Sequence, residues 1–261
     1  MKNSYSILSG AEPFFFAGND IGILVSHGFN GTPQSMRYVG ERLAESGYTV
    51  LGVRLAGHGT HYKDLERCCY EDWMQSLKEG YERLAKHCKY IYIVGQSMGG
   101  TLALTLASSY RFAGVITINA AFSVPCYEAY ESTSSPKYID ESLPDTKDSS
   151  VHEIVYDTVP VSSIRQLLRF IQDAKTSLSS VLCPVLLLHS VEDHVVPASS
   201  AHQVYDTIGS TEKKSIPLMN SYHVASMDFD KDLIVSYCRQ FIEGKGSLLN
   251  SCGRKLNTST I

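Results

Sequence analysis

Three observations predict an α/β fold: a mostly parallel central sheet, helices on both faces, and a cap inserted late in the chain. Unbroken apolar runs at 21–26, 49–53, 90–95, 114–119 and 184–189 are separated by segments with helical apolar spacing. Such runs are expected of strands buried on both faces. At Gly95-Gln96-Ser97-Met98-Gly99 a strand pattern passes directly into a helix pattern. Between Ala120 and about Ser180 this alternation stops, and it resumes afterwards. The expected division is therefore 1–120 and 181–243 as the core, 121–180 as the cap, and 244–261 as a polar, disordered tail.

The 261 residues suffice for one such domain with an insertion. Net charge is −4, with no basic surplus to attract nucleic acid or an anionic membrane. Residues 1–10 lack a basic region followed by an apolar run, so no signal peptide is expected, and Phe14-Phe15-Phe16 is too short to span a bilayer. The seven cysteines are an odd set without metal-ligand spacing, which reads as reduced thiols in a cytoplasmic protein.

Residues 13–17 read as a short strand, followed by a Gly18-Asn19-Asp20 turn and the strand Ile21–Ser26. His27-Gly28-Phe29-Asn30-Gly31-Thr32-Pro33 is then a glycine-rich loop, with Thr32 as helix N-cap and Pro33 as the first helical residue. Met36, Val39 and Leu43 form the buried stripe of that helix, which Gly47 ends. After the strand at 49–53, the loop Arg54-Leu55-Ala56-Gly57-His58-Gly59-Thr60-His61 lacks the carboxylate and the spacing of a metal site, so loop-bracing hydrogen bonds are expected of it. Trp73, Leu77, Tyr81 and Leu84 mark a long helix before the strand at 90–95.

Ser97 is the candidate nucleophile. A serine between glycines at a strand-to-helix turn is held in a strained conformation that lifts its hydroxyl from the sheet. The same turn puts the Met98 N–H at a helix N-terminus, where developing negative charge is favoured. Phe29, in the glycine-rich loop after the neighbouring strand, is the candidate for the second oxyanion N–H.

A serine hydroxyl needs an imidazole base, and that imidazole needs a carboxylate to orient it. At such an elbow the chain order is Ser, then acid, then His. Histidines 27, 58, 61 and 87 precede Ser97; His152 precedes any acid candidate; His189 is in a strand, His194 adjoins the acid loop and His202 is mid-helix. His223, in the loop after the last strand at 214–218, remains. Glu192 and Asp193 compete as acid, and the shorter Asp193, just before the turn into Val195-Val196-Pro197, fits better. Within the cap, Val161, Ile164, Leu167, Leu168 and Ile171 share one helix face, which packs on the core, lines an acyl pocket, or does both. Residues 198–208 and 230–243 read as the closing helices.

From about Glu12 to Glu243 the chain resembles the bacterial monoacylglycerol lipases and related carboxylesterases of the α/β-hydrolase superfamily. The resemblance is carried by the loop 27–33, Gly57-His58-Gly59-Thr60-His61-Tyr62, Ser97-Met98-Gly99-Gly100-Thr101, Glu192-Asp193-His194-Val195-Val196-Pro197 and Asn220-Ser221-Tyr222-His223-Val224. It implies Ser97, Asp193 and His223 as the catalytic triad, Phe29 and Met98 as the oxyanion hole, and no metal or organic cofactor. Alone, Glu153 reads as an exposed carboxylate at a helix start; the resemblance implies that it contacts the glycerol hydroxyls of a monoacylglycerol. Two positions depart from the pattern: Gln96 where relatives often carry a small apolar residue, and Ser142 where a bulkier apolar one is expected. The implied partner is a small lipid ester, with transient contact with lipid aggregates and no fixed oligomeric state. A broad carboxylesterase or short-acyl thioesterase is the alternative activity, and a non-catalytic binding protein of the same fold the remote one.

Overall fold

The computed structural model describes residues 5–133, 135–141 and 143–244. Ser142 and the tail after Gly244 lie outside the described residues. Seven strands form the main sheet among them: β1 (Phe14–Phe16), β2 (Ile21–Ser26), β3 (Thr49–Val53), β4 (Tyr90–Gln96), β5 (Gly114–Ile118), and, after the intervening segment, two more. That segment holds the two-stranded ribbon β6 (Tyr138–Asp140) and β7 (Thr158–Pro160); the sheet then resumes with β8 (Val185–Ser190) and β9 (Lys213–Leu218). The order is β1-β3-β2-β4-β5-β8-β9, antiparallel only at β1, which is the α/β-hydrolase arrangement.

Helices cover both faces. On one lie α1 (Pro33–Glu45) and α8 (Lys231–Ile242), whose Met36, Val39, Leu43, Ile234 and Cys238 bury against the Val25, Val94, Ile116 and Leu188 side of the sheet. On the other lie α3 (Tyr70–Ala85) and α4 (Met98–Ala107), with Trp73, Leu77, Leu84 and Leu102 on the Leu24, Ile93 and Val115 side. Alternate residues of one strand thus feed opposite cores, as a two-residue repeat requires. The expected helix at 198–208 is α7 (Ser199–Thr207).

Short elements were not anticipated. They are α2 (Tyr62–Glu66), α5 (Pro125–Glu128) and the β6–β7 ribbon. The expected amphipathic helix is α6 (Val161–Ser177), which packs on α3 and α4. One capping expectation fails: Thr32 occupies the N-cap of α1, but its hydroxyl makes no capping bond, and the Ser35 N–H donates to the Thr32 carbonyl instead. The 54–61 loop is braced as expected. Arg54 Nη1 donates to the His58 carbonyl at 2.6 Å, and His58 Nδ1 lies 3.0 Å from the Ala56 carbonyl.

Register places the site. Ser26 pairs with both Val53 and Gly95, and Ser190 with Leu218, so the loops after β2, β4, β8 and β9 emerge together at the C-terminal edge of the sheet. Ligands of open α/β sheets bind at that edge.

Candidate active site

Ser97 joins β4 to α4 with φ +54° and ψ −124°, a conformation costly for a residue with a Cβ. Its neighbours make that turn possible. A Cβ on Gly95 would lie 2.1 Å from the Gly99 carbonyl oxygen, and one on Gly99 would lie 2.5 Å from the His27 carbonyl oxygen. The elbow is thus locked against the loop after β2, where even Gly28 packs so closely that a Cβ there would sit 3.1 Å from the Ser97 Cβ.

His223 Nε2 lies 2.9 Å from Ser97 Oγ, and its Nδ1 lies 2.8 Å from Asp193 Oδ2. An ionised carboxylate only accepts, so Nδ1 carries the hydrogen and Nε2 turns its lone pair to the serine hydroxyl. Asp193 is itself fixed: its Oδ1 accepts the Val195 and Val196 N–H groups at 2.9 and 2.7 Å. Glu192 turns away to Lys147 Nζ at 3.0 Å, so the structure brings Asp193, and not Glu192, to the imidazole. Burial alone would depress the His223 pKa. The charge and hydrogen bond of Asp193, then the charges of Asp145 and Glu153, outweigh it and hold the imidazole above its ordinary 6.5.

Met98 is the first residue of α4, so its N–H has no intrahelical partner. The Phe29 peptide is oriented from behind: buried His27 has Nδ1 2.9 Å from the Gly28 carbonyl, while its Nε2 accepts the Leu55 N–H at 3.1 Å. Gly28 C=O and Phe29 N–H belong to one planar peptide, so this bond sets the direction of the Phe29 N–H. Burial keeps His27 neutral by holding its pKa well below the ordinary value.

A cavity of about 110 Å³ opens at Ser97. Phe29, Tyr127, Leu143, Val155 and Leu167 form its apolar wall, and Glu141, Asp145 and Glu153 bring carboxyl groups to it. Of the four apolar residues expected to line a pocket, Leu167 alone reaches this cavity. Ile164 and Leu168 pack with Val159 behind Phe29 and Tyr127, and Ile171 joins the main core beside Phe170, because α6 turns most of its face to the body of the protein.

Glu153 does not begin a helix. It lies in an irregular stretch pinned to the loop after β2: Gln34 Nε2 donates to the His152 carbonyl and its Oε1 accepts the Ile154 N–H, while Asn30 makes the same pair of bonds with Tyr156. This brings Glu153 Oε1 within 3.0 Å of where a Gly31 Cβ would be. Burial raises its carboxyl pKa from 4.5 to about 7, against the opposing pull of His223 and the Ser35 hydroxyl.

Several groups that hold the site were not found from the sequence. Gln96 Oε1 accepts the Ser226 N–H at 3.0 Å. Asn119 Nδ2 donates to the His223 carbonyl at 2.8 Å. Asp228, fully buried, accepts N–H groups of Lys147, Asp148, Tyr222 and Phe229. The departure at Gln96 marked a position of interest; the other two carry no local signal beyond their place at strand ends and in the last loop.

A family model described as "Serine aminopeptidase, S33" matches residues 19–230. The chain belongs to that family. It is a serine hydrolase of the α/β-hydrolase superfamily. The chain is 43% identical over 244 residues to a thermostable monoacylglycerol lipase of Bacillus sp. (strain H-257), covering 92% of this chain and 98% of that one. It is 26% identical over 238 residues to a carboxylesterase of Bacillus subtilis (strain 168), covering 89% and 96%. Among solved structures, one from work on the metagenome-derived lipolytic enzymes LipS and LipT superposes with a TM-score of 0.89 at 40% identity, covering 92% of this chain and all of that one. Among the described residues, no helix of this family member is long and apolar enough to cross a membrane.

Proposed function

We propose that this chain hydrolyses monoacylglycerols to glycerol and a fatty acid through an acyl-enzyme. The observation that carries the reading is the Ser97–His223–Asp193 hydrogen-bonded chain opening on a cavity whose wall includes the desolvated Glu153 carboxyl. The name of the Bacillus relative supports the substrate class.

In this mechanism Ser97 Oγ attacks the ester carbonyl as its proton passes to His223 Nε2. Asp193 holds the resulting imidazolium. The Met98 and Phe29 N–H groups stabilise the oxyanion. His223 then returns the proton to the departing glycerol oxygen. Water, deprotonated by the same Nε2, releases the acyl chain from Ser97.

Glu153 serves the alcohol half of the substrate. With a pKa of about 7 it accepts from a glycerol hydroxyl when ionised and donates when protonated, so one carboxyl serves a diol in either state. A diacylglycerol replaces one hydroxyl by an acyl group and leaves the carboxyl facing bulk. Residues 121–180 act as the cap in this reading. Leu143, 89% exposed at the cavity mouth, supports brief contact with a lipid aggregate. A cytoplasmic location is supported by the six unbridged cysteines among the described residues.

The test compares 1-monolauroylglycerol with p-nitrophenyl laurate. Glu153→Ala is expected to lower kcat/KM about ten- to hundredfold on the glyceride alone. Equal losses on both substrates would make Glu153 a structural group and remove the polyol reading.

A further inference from the structure

Asp145 lies in the segment between β5 and β8, yet its contacts are all with the loops that carry the acid and the base. Its Oδ2 accepts the His223 N–H at 3.1 Å and the His194 N–H, one residue after Asp193, also at 3.1 Å. Its Oδ1 lies 2.7 Å from His194 Nδ1, and its own carbonyl accepts the Val224 N–H at 3.0 Å. The attachment is reciprocal. From the base side, Asp228 accepts the Lys147 and Asp148 N–H groups at 2.7 and 3.0 Å, and the Tyr222 N–H at 3.0 Å.

We infer that Asp145 is a positioning residue for the reaction: one carboxylate from the cap segment fixes the acid loop and the base loop relative to each other and adds negative charge beside the base. The inference rests on the serine-hydrolase reading of Ser97, Asp193 and His223. Two physical effects follow. Geometrically, a single Oδ2 shared by the backbone of His223 and of the residue after Asp193 sets the separation of those loops, which the 2.8 Å bond between the two side chains requires. Electrostatically, three carboxylates face the imidazole: Asp193 from the acid loop, and Asp145 and Glu153 from the cap segment. Asp145 adds to what Asp193 does, stabilising the imidazolium formed when Ser97 attacks.

His194 offers the competing explanation. Its side chain is 61% exposed, so an ion pair there is an ordinary surface contact. If that pair were the purpose of Asp145, removing the His194 imidazole would have the same effect as removing the carboxylate. The backbone bonds predict otherwise, because His194→Gln keeps both N–H donors.

The experiment measures kcat and KM for p-nitrophenyl butyrate from about pH 5 to 9, together with the rate of fluorophosphonate labelling at Ser97, for the wild type, Asp145→Asn, Asp145→Ala and His194→Gln. Asp145→Asn keeps an acceptor oxygen but no charge. Its acid limb should move to lower pH by several tenths of a unit or more, because the base loses a neighbour that raises its pKa. Asp145→Ala should lose at least about tenfold in plateau kcat with KM little changed, labelling should slow in proportion, and Asn should recover part of the Ala loss without restoring the limb. His194→Gln should stay within about twofold of wild type with its limb unmoved. An Asp145→Asn enzyme with wild-type limb and plateau, or a His194→Gln enzyme that reproduces it, would overturn the assignment. Were the wild type neither active on the ester nor labelled at Ser97, the hydrolase reading itself would fall, and the inference with it.

Discussion

Gln96 and Ser226, 130 residues apart in sequence, are joined by a buried hydrogen bond from the Ser226 N–H to the Gln96 side-chain oxygen. The residue before Ser97 thus holds the loop that carries His223. Ser226 Oγ continues the link to the Ser35 carbonyl, at the start of the helix that follows the Phe29 loop. A small apolar residue at position 96 would leave the Ser226 N–H buried without an acceptor. Gln96→Leu is therefore expected to lower stability by about 1–3 kcal/mol in urea unfolding and to lower kcat as well. An unchanged midpoint would mean that the base loop does not depend on this bond.

The choice of acid is separately testable. Asp193→Asn keeps the size of the side chain but favours the wrong imidazole tautomer, so kcat should fall by roughly three to four orders of magnitude. Glu192→Gln loses only a half-exposed pair with Lys147 and should stay near wild type. Ser97→Ala and His223→Ala should each lose about as much as the two together, because the groups act as a unit.

Only Leu167 of the α6 face opens on the cavity, which separates two outcomes. Leu167→Ala should shift the acyl-length optimum, since each methylene of substrate that the wall buries is worth about 0.8 kcal/mol. Leu168→Ala, behind Phe29 and Tyr127, should instead cost about 2–5 kcal/mol of stability and leave the ranking of acyl lengths unchanged. Measuring kcat/KM from butyryl to lauroyl esters alongside thermal unfolding distinguishes them.

The Glu153 carboxyl gives a stability signature. Its pKa is raised from 4.5 to about 7 by burial in the folded state. The folded protein therefore holds this proton more tightly than the unfolded chain. That contribution is fully present below about pH 4.5 and is lost as pH rises through about 7. Glu153→Gln removes the titration, so relative to wild type it should gain roughly 2–3 kcal/mol between pH 4 and pH 8. A pH-independent difference between the two proteins would mean that Glu153 is solvated.

The elbow, the glycine-rich loop and the strands could be read in the sequence because each is a run of consecutive residues with its own pattern. Histidine and carboxylate positions followed from chain order. What escaped was of two kinds. Elements of three to five residues, such as α2 and the β6–β7 ribbon, are too short to display a period. Groups such as Asp145 and Asn119 act across 49 to 104 residues of sequence, and nothing adjacent to them reports the partner. The helical spacing of α6 identified its apolar face, but which of those residues opens on the cavity depends on how far the helix rolls onto α4. Glu153 looked like a helix-start carboxylate because the apolar period of α6 follows it; the amides of Asn30 and Gln34 hold it in an irregular segment instead.

The buried carboxylate of Asp228 has a consequence for native-state hydrogen exchange. It gathers amides from the segment before Glu153 (Lys147 and Asp148) and from the residue before the base (Tyr222). None of these protons can be released alone without weakening the solvation of a charge that is 0% exposed. The three amides should therefore exchange in one cooperative opening, with a shared free energy, rather than as a fraying surface loop and a separate catalytic loop. An event that lifts the 147–148 segment is then also an event that loosens the backbone beside His223, and deuterium uptake at Tyr222 becomes a reporter for both.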